Sequence, residues 1–487
     1  MLRYLLERSG VIRQPVLNRV DFVHRTFQEY LAAKEAAEDH LPGVLVRHAD
    51  SDQWRETIVM AAGHGTPKYR SALLGELLAR ADREPARARS LRLLATACLE
   101  TAHTVDAQVT ERVDVALSTV LPPRSTRDSR SLARAGGRVI GKLPGSVDGL
   151  SEGAAAACVR AVALINGPDA LRRLAAYATD PRHRVQTELA EVWRYFDAEE
   201  YAATVLSDAP LEDGTISVRR LEHLPHLRRL TRLNSVWAEI DDPVDDLDFL
   251  DGVPCLERIR CGTVSPVPEL APLLAHQGLQ HIQLFGHGVL GDLHQLNQLS
   301  ELRMLQIVAN DIDSVAFVTE LPKLSTLTID FRGTGPDNLN PIATLQCLTH
   351  LGLSNCPVDP SYFITELAGL SGLELAGSTL PHGLTGIRPL LPRLTGLFLW
   401  GSSVDDLDAL TDAVLLERLN IGSTRITDLE PLAGLPKLRE VYLNDCLPGL
   451  DISPLARLPR RARIHLHRGQ RLERLDAVRG RHRISWS

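Results

Sequence analysis

Apolar residues return with a fixed beat along the second half of the chain. Aligned on L-x-x-L-x-L, the segments LQHIQL at Leu279, LRMLQI at Leu302, LSTLTI at Leu324, LTHLGL at Leu348, LSGLEL at Leu370, LTGLFL at Leu394, LERLNI at Leu416 and LREVYL at Leu438 start 22 to 24 residues apart. LERIRC at Leu256 fits one step earlier, while LNSVWA at Leu233 and RARIHL at Arg461 are degenerate outer copies. Within each segment the alternation has period two, which predicts a short strand with one apolar face. Between segments lie stretches such as ITDLEPLAGLPKL, too short and too rich in Pro for long helices. They predict single 3₁₀ turns.

A second register runs eight residues behind each start. It holds His287, Asn310, Cys356, Ser378, Ser402, Thr424 and Cys446, followed two positions on by Val289, Ile312, Val358, Leu380, Val404 and Ile426. A buried small polar group there can bond the backbone of the adjacent turn. This period and pattern resemble the 22-residue class of leucine-rich repeat. The resemblance implies an α/β solenoid over residues 216–470, with parallel strands on the concave face and 3₁₀ turns on the convex face.

Residues 41–215 carry a different beat. SLRLLATACLETA, AQVTERVDVALSTVL, AAAACVRAVALI, ALRRLAAYA and VQTELAEVWRYF show apolar spacing of three and four, the period of helices. Breaks are expected at LPPRSTRDSR, NGPD and TDPRHR. An irregular HEAT-type array and a plain helical bundle both fit this pattern.

The first 40 residues read as a helix ending at Gly10, two strands, and a second helix. Thr26 and Glu29 have capping-box spacing, and Phe27, Tyr30 and Leu31 share one face of the helix that follows. Phe22, His24, Phe27, Gln28, Glu29, Tyr30, Ala32 and Ala33 then form F-x-H-x-x-F-Q-E-Y-x-A-A. That motif resembles the closing signature of the winged helix in NACHT-type STAND NTPases. QWRETIVMAAG, with Trp54 and Gly63, resembles the segment that follows it there. The resemblance implies a partial winged-helix domain over residues 1–40, a helical region, and a repeat sensor. It also implies that His24 is the vestige of a contact to a nucleotide phosphate. The NTPase module itself is not found in the sequence. GGRVIGK at 136–142 satisfies G-x-x-x-x-G-K, but Leu143 stands where Ser or Thr must ligate Mg²⁺, and RSTRDSRSLARA before it is no buried strand.

Composition narrows the picture further. The chain of 487 residues is 44% hydrophobic and 24% charged, ordinary for a soluble globular protein. Seven cysteines without a C-x-x-C argue for a reducing compartment. The longest apolar stretch is cut by Arg160 and is shorter than the ~20 residues of a membrane span. A cytoplasmic protein without membrane contact is expected. The net charge of −7 is uneven, with ten Arg against Glu473 and Asp476 between Arg457 and Ser487. Residues 471–487 are expected as a basic tail, and 457–487 is the only candidate for nucleic acid. His465 and His467 share a strand face without further ligands, and His223 and His226 lie three apart. Neither pair suggests a metal site. There is no G-x-S-x-G or H-E-x-x-H, and no catalytic residue or cofactor is expected.

Chemistry therefore concentrates on the concave face. The third, fifth and seventh positions of each repeat should point out of it. The repeats at Leu394, Leu416 and Leu438 place Phe398, Asn420 and Tyr442 in one row, Trp400 and Asn444 beside it, and Arg418 and Glu440 on the flank. Exposed aromatics with Arg suit a protein-binding hot spot. The expected function is a non-enzymatic sensor half of a NACHT–leucine-rich-repeat signalling protein of defence type, acting on an NTPase module encoded elsewhere. A free-standing repeat scaffold regulating a partner enzyme, and an NTPase using GGRVIGK, are the alternatives.

Overall fold

The computed structural model describes residues 11–16, 19–264, 269–286, 292–310, 312–356 and 358–486. The helix expected before Gly10, and His287 and Val289 of the repeat register, lie outside the described residues. The chain divides into two compact units, residues 1–213 and 214–487.

In the first unit, strands β1 (Ile12–Val16) and β2 (Arg19–Phe22) form an antiparallel pair. Helix α1 (Arg25–Glu38) follows. The capping box expected from Thr26 and Glu29 does not form. The helix starts two residues earlier, with His24 at the N-cap and no side-chain cap. Glu29 is drawn instead to Arg25, whose Nε lies 2.7 Å away one turn back. This i,i+4 charge pair competes for the carboxylate that the box requires. Ala33, Ala36 and Ala37 form the buried face of α1. Phe27, Tyr30 and Leu31 share a face but remain exposed, with Tyr30 set edge-on to the His64 ring at 4.9 Å.

Helices Ala88–Thr101, Ala107–Ser118, Glu152–Ile165, Pro168–Tyr177 and His183–Val192 fall where the three-and-four spacing put them, and Arg55–His64 and Pro67–Arg83 precede them. Each packs mainly on near neighbours in sequence. The stretch read as a break at LPPRSTRDSR is only partly one. Ser125 accepts from the Asp128 N–H at 3.2 Å and so starts a further helix, Thr126–Ala133. Among the described residues no helix is long and apolar enough to cross a membrane.

The second unit is built on a parallel sheet of thirteen described strands. They are β3 (Thr215–Val218), β4 (Ser235–Ala238), β5 (Arg258–Val264), β6 (His281–Gly286), β7 (Met304–Ala309), β8 (Thr326–Phe331), β9 (His350–Ser354) and β10 (Gly372–Glu374). Then come β11 (Gly396–Phe398), β12 (Arg418–Asn420), β13 (Glu440–Tyr442), β15 (Arg463–Leu466) and β17 (Arg483–Trp486). A separate small pair joins β14 (Leu450–Asp451) to β16 (Leu472–Glu473). Each strand of the large sheet pairs with the next one in sequence, in the order of the chain. Convex connections are mostly 3₁₀ turns, such as Asn340–Thr344, Asp408–Asp412 and Glu430–Leu432.

The repeat leucines make the core. Leu394, Leu397 and Leu399, like Leu416, Leu419 and Ile421 in the next turn, are sealed from solvent. Burying one such side chain contributes about 1.5–3 kcal/mol relative to exposure, so no turn is stable without its neighbours. The register eight residues past each start lies just behind. Ser378 Oγ donates to Leu353 O at 2.7 Å and accepts from the Cys356 N–H at 3.0 Å. Thr424 donates to Ile421 O at 2.6 Å, and Cys446 Sγ lies 3.5 Å from the same oxygen.

The stretch from residue 471, expected as a tail, continues the solenoid. A short helix, Leu475–Arg479, leads into β17, which pairs with β15 in parallel register from Arg463↔Arg483 to Leu466↔Trp486. His482 closes the end by accepting the Ala462 N–H on Nδ1 at 2.9 Å. Arg474 and Arg479 meet Asp451 and Asp476 at 3.5 Å, and Arg457 pairs with Glu430.

Candidate ligand-binding face of the repeat unit

The register of the sheet fixes which side chains meet. Gly352, Glu374, Phe398, Asn420, Tyr442 and His465 are successive partners on β9, β10, β11, β12, β13 and β15. They form one row, with strands ~4.8 Å apart. Gly396, Arg418, Glu440 and Arg463 form the parallel row two residues earlier.

Within this grid the expected residues contact each other in two groups. The Arg418 guanidinium lies over the Phe398 ring, 5.6 Å from its centroid, a cation–π arrangement. Trp400 is 49% exposed, the most accessible aromatic of the group. A Cβ on Gly422 would come within 2.9 Å of Trp400 Cδ1 and 2.6 Å of Asn444 O, so the indole rests against a turn that only glycine leaves free. Tyr442 stacks on His465, with centroids 4.1 Å apart and planes at 10°. Partial burial raises the Tyr442 hydroxyl pKa, with Glu440 adding to the effect. Arg463 reaches toward Glu440 at 3.8 Å.

The two asparagines differ. Asn420 Oδ1 accepts the Gly422 N–H at 3.0 Å and so serves its own turn. Asn444 Oδ1 is out of solvent without a hydrogen-bond partner among the described residues. His465 was the residue missed, because it looked like part of a polar final turn. Its fifth place in RARIHL was the available signal, since the fifth position of every repeat joins the row.

Other candidates lie elsewhere. His24 is exposed, its ring 6.2 Å from Phe27. The GGRVIGK segment carries a short helix, Arg138–Lys142, not a phosphate loop. The Gly137 and Arg138 N–H groups that would face a phosphate are 3.2 and 3.3 Å from the Glu100 carboxylate. Lys142 is paired with Asp114 at 3.4 Å, and the preceding element is a helix. Among the described residues no three His, Cys, Asp or Glu side chains are placed to hold a metal ion.

A family model described as leucine-rich repeats, two copies, matches residues 414–457. Together with the register above, this makes the second unit a leucine-rich-repeat solenoid. The chain is similar to an internalin, InlF, of Listeria monocytogenes, at 17% identity over 59% of this chain and 88% of that one, with a TM-score of 0.41. It is also similar to a leucine-rich-repeat protein of Leptospira interrogans, at 15% identity over 58% and 81%, with a TM-score of 0.40. No curated protein matches the chain. Proteins of this architecture present extended concave faces to their ligands and are typically protein-binding.

Proposed function

We propose that this chain is a non-enzymatic recognition protein that docks a protein ligand on the concave face around Phe398, Trp400, Arg418, Asn420, Glu440, Tyr442 and Asn444. The observation that carries this reading is the exposed Trp400, flanked by the Arg418–Phe398 and Tyr442–His465 pairs on one rigid sheet. Rigid aromatic anchors lose little ordering entropy on docking. Phe398 and Trp400 come from one repeat and Tyr442 from the next but one, so the three aromatics fall within three successive repeats.

The same reading makes the chain the sensor half of a NACHT-type STAND protein acting in defence-type signalling. Support comes from F-x-H-x-x-F-Q-E-Y-x-A-A, from the hairpin that leads into α1, and from the order helical region then repeats. The helical region would transmit ligand docking to an NTPase module encoded elsewhere, with His24 as the remnant of its nucleotide contact. The setting proposed is the cytoplasm.

Quantitative affinity purification with the wild type and with Trp400→Ala, Tyr442→Ala and Glu430→Ala tests the docking face. A ligand held there is depleted about tenfold or more by each aromatic change, at an unaltered melting temperature, and is untouched by the convex Glu430→Ala. Calorimetry with ATP tests the non-enzymatic part. Stoichiometric binding that Lys142→Ala abolishes would make the protein a nucleotide enzyme instead.

A further inference from the structure

We propose that the concave face carries a second anchor near its other end, built from Trp237, Arg258, Arg260, His281 and Phe285, which takes an acidic segment of the protein ligand. It rests on the reading that the ligand docks on this face. Trp237, Arg260 and Gln283 are register partners on β4, β5 and β6, with Arg258 and His281 in the row beside them. Trp237 is 42% exposed. The Arg260 guanidinium lies 5.7 Å from the centroid of Phe285. This repeats the Arg418–Phe398 arrangement seven strands away.

Charge sets the partner's chemistry. Among the described residues neither Arg258 nor Arg260 has a carboxylate at salt-bridge distance, and Arg258 Nε is out of solvent with no hydrogen-bond partner. Of the nearby acids, Glu239 is engaged by Arg219 at 3.8 Å. Glu257 lies close enough to act on His281, but Arg258 and Arg303 act on the same ring in the opposite sense, after burial. Two fixed cations beside the exposed Trp237 and the half-buried Phe285 have no carboxylate partner among the described residues, so a ligand carboxylate adds a charge-assisted bond without displacing one of theirs.

The face beyond the patch decides against a polyanion. The fifth-position row runs on through Gln306, Thr328 and Gly352 to Glu374, and Asp330 lies two residues past Thr328 on β8. Among the described residues Glu374 takes a hydrogen bond from the Ser354 hydroxyl at 3.4 Å, and burial raises its pKa with Asp330 adding to the effect. Asp330 is paired with Arg332 at 2.9 Å, so a nucleic acid following the sheet would meet the Glu374 carboxylate as the acid without a cation there among the described residues. A peptide can place acidic residues at the arginines and neutral or basic ones over Glu374. From β5 to β12 is seven strand steps, roughly 34 Å along the sheet at ~4.8 Å each. An extended segment of about ten residues spans it.

Fluorescence anisotropy on the full chain, with labelled poly-L-glutamate and oligothymidylate as probes, tests this at low and physiological salt. The double variant Arg258→Gln/Arg260→Gln should weaken polyglutamate by about tenfold or more. Arg258→Lys/Arg260→Lys should restore part of the loss. Arg471→Gln/Arg481→Gln, near the C-terminus, should change it by less than about twofold. Unchanged melting temperatures show that the variants are folded. Polyglutamate binding that survives the loss of Arg258 and Arg260, or that vanishes only with Arg471 and Arg481, overturns the proposal. Tighter binding of oligothymidylate through the same arginines overturns it in favour of nucleic acid. The probe needs no natural ligand and spares Trp400, so a failure here leaves the Phe398–Tyr442 reading standing. Loss of that reading by affinity purification would show independently of this assay.

Discussion

Ser378 and Ser402 occupy the same position of adjacent repeats, yet replacing each with alanine should have opposite outcomes. Ser378 is 1% exposed, and its hydroxyl serves two buried backbone groups, Leu353 C=O and the Cys356 N–H, at 2.7 and 3.0 Å. Ser378→Ala strands both. A buried polar group without a partner costs about 1–3 kcal/mol, so stranding two should destabilise the unit by about 2–6 kcal/mol. Ser402 is 5% exposed, and its hydroxyl has no hydrogen-bond partner among the described residues. In that turn Ser403 takes the bridging role, accepting the Leu380 N–H at 2.8 Å. Ser402→Ala removes an already orphaned hydroxyl and should fall within about 0.5 kcal/mol of neutral, or stabilise. Urea denaturation followed by circular dichroism reads the difference as a shift in midpoint at constant slope. Hydrogen exchange at the Cys356 amide gives a local readout, faster in Ser378→Ala and unchanged in Ser402→Ala. Equal midpoints for the two variants, or a larger loss in Ser402→Ala, would refute the assignment of these bonds.

Three further outcomes are expected. Cys356 and Cys446, whose thiols burial pushes up to about 11 and about 12, should resist labelling in the native protein, while the exposed Cys255 and Cys347 react at once. Fast labelling of Cys356 or Cys446 would mean the register eight residues past each start is misplaced. Burial pulls the His223 imidazole down to about 4, so below pH ~6.5 the unfolded chain takes up this proton before the folded one. The stability it supports is complete above that pH and is lost as the pH falls toward 4, by up to about 3 kcal/mol, and His223→Gln should remove that part of the slope in melting temperature against pH. Gly422→Ala should place a methyl 2.6 Å from Asn444 O, costing about 1–3 kcal/mol and shifting Trp400 emission; unchanged fluorescence and stability would contradict the close approach of the indole.

The solenoid was legible because the same physical requirement is written nine times over. Each L-x-x-L-x-L must bury three apolar residues against identical neighbours, and the register of His350, Gly372, Gly396, Arg418 and Glu440 follows from counting. Legibility failed at the ends, where there is a neighbour on one side only. There β3 and β17 keep the backbone pairing while their sequences, TISV and RISW, drop the leading leucine. The concave partners of the row were equally countable, and His465 was lost only because a terminal repeat was discounted. What spacing does not encode is charge competition. Thr26 and Glu29 have capping-box spacing, but Arg25 takes the carboxylate. Similarly, G-x-x-x-x-G-K is met at 136–142, but Glu100 occupies the amides. Both outcomes depend on side chains that a short motif does not contain.

The strict sequential order of the sheet also makes the protein a ruler. Every strand pairs only with the one before and the one after, so a whole repeat can be inserted or deleted without changing the pairing chemistry of any other. Between the two arginine–aromatic clusters on β5–β6 and β11–β12, each such event would change their separation by one strand spacing, ~4.8 Å, and leave both clusters intact. Duplication of single repeats thus offers evolution, or an engineer, a way to retune the protein to a longer or shorter ligand in discrete increments, independently of how tightly either end is gripped.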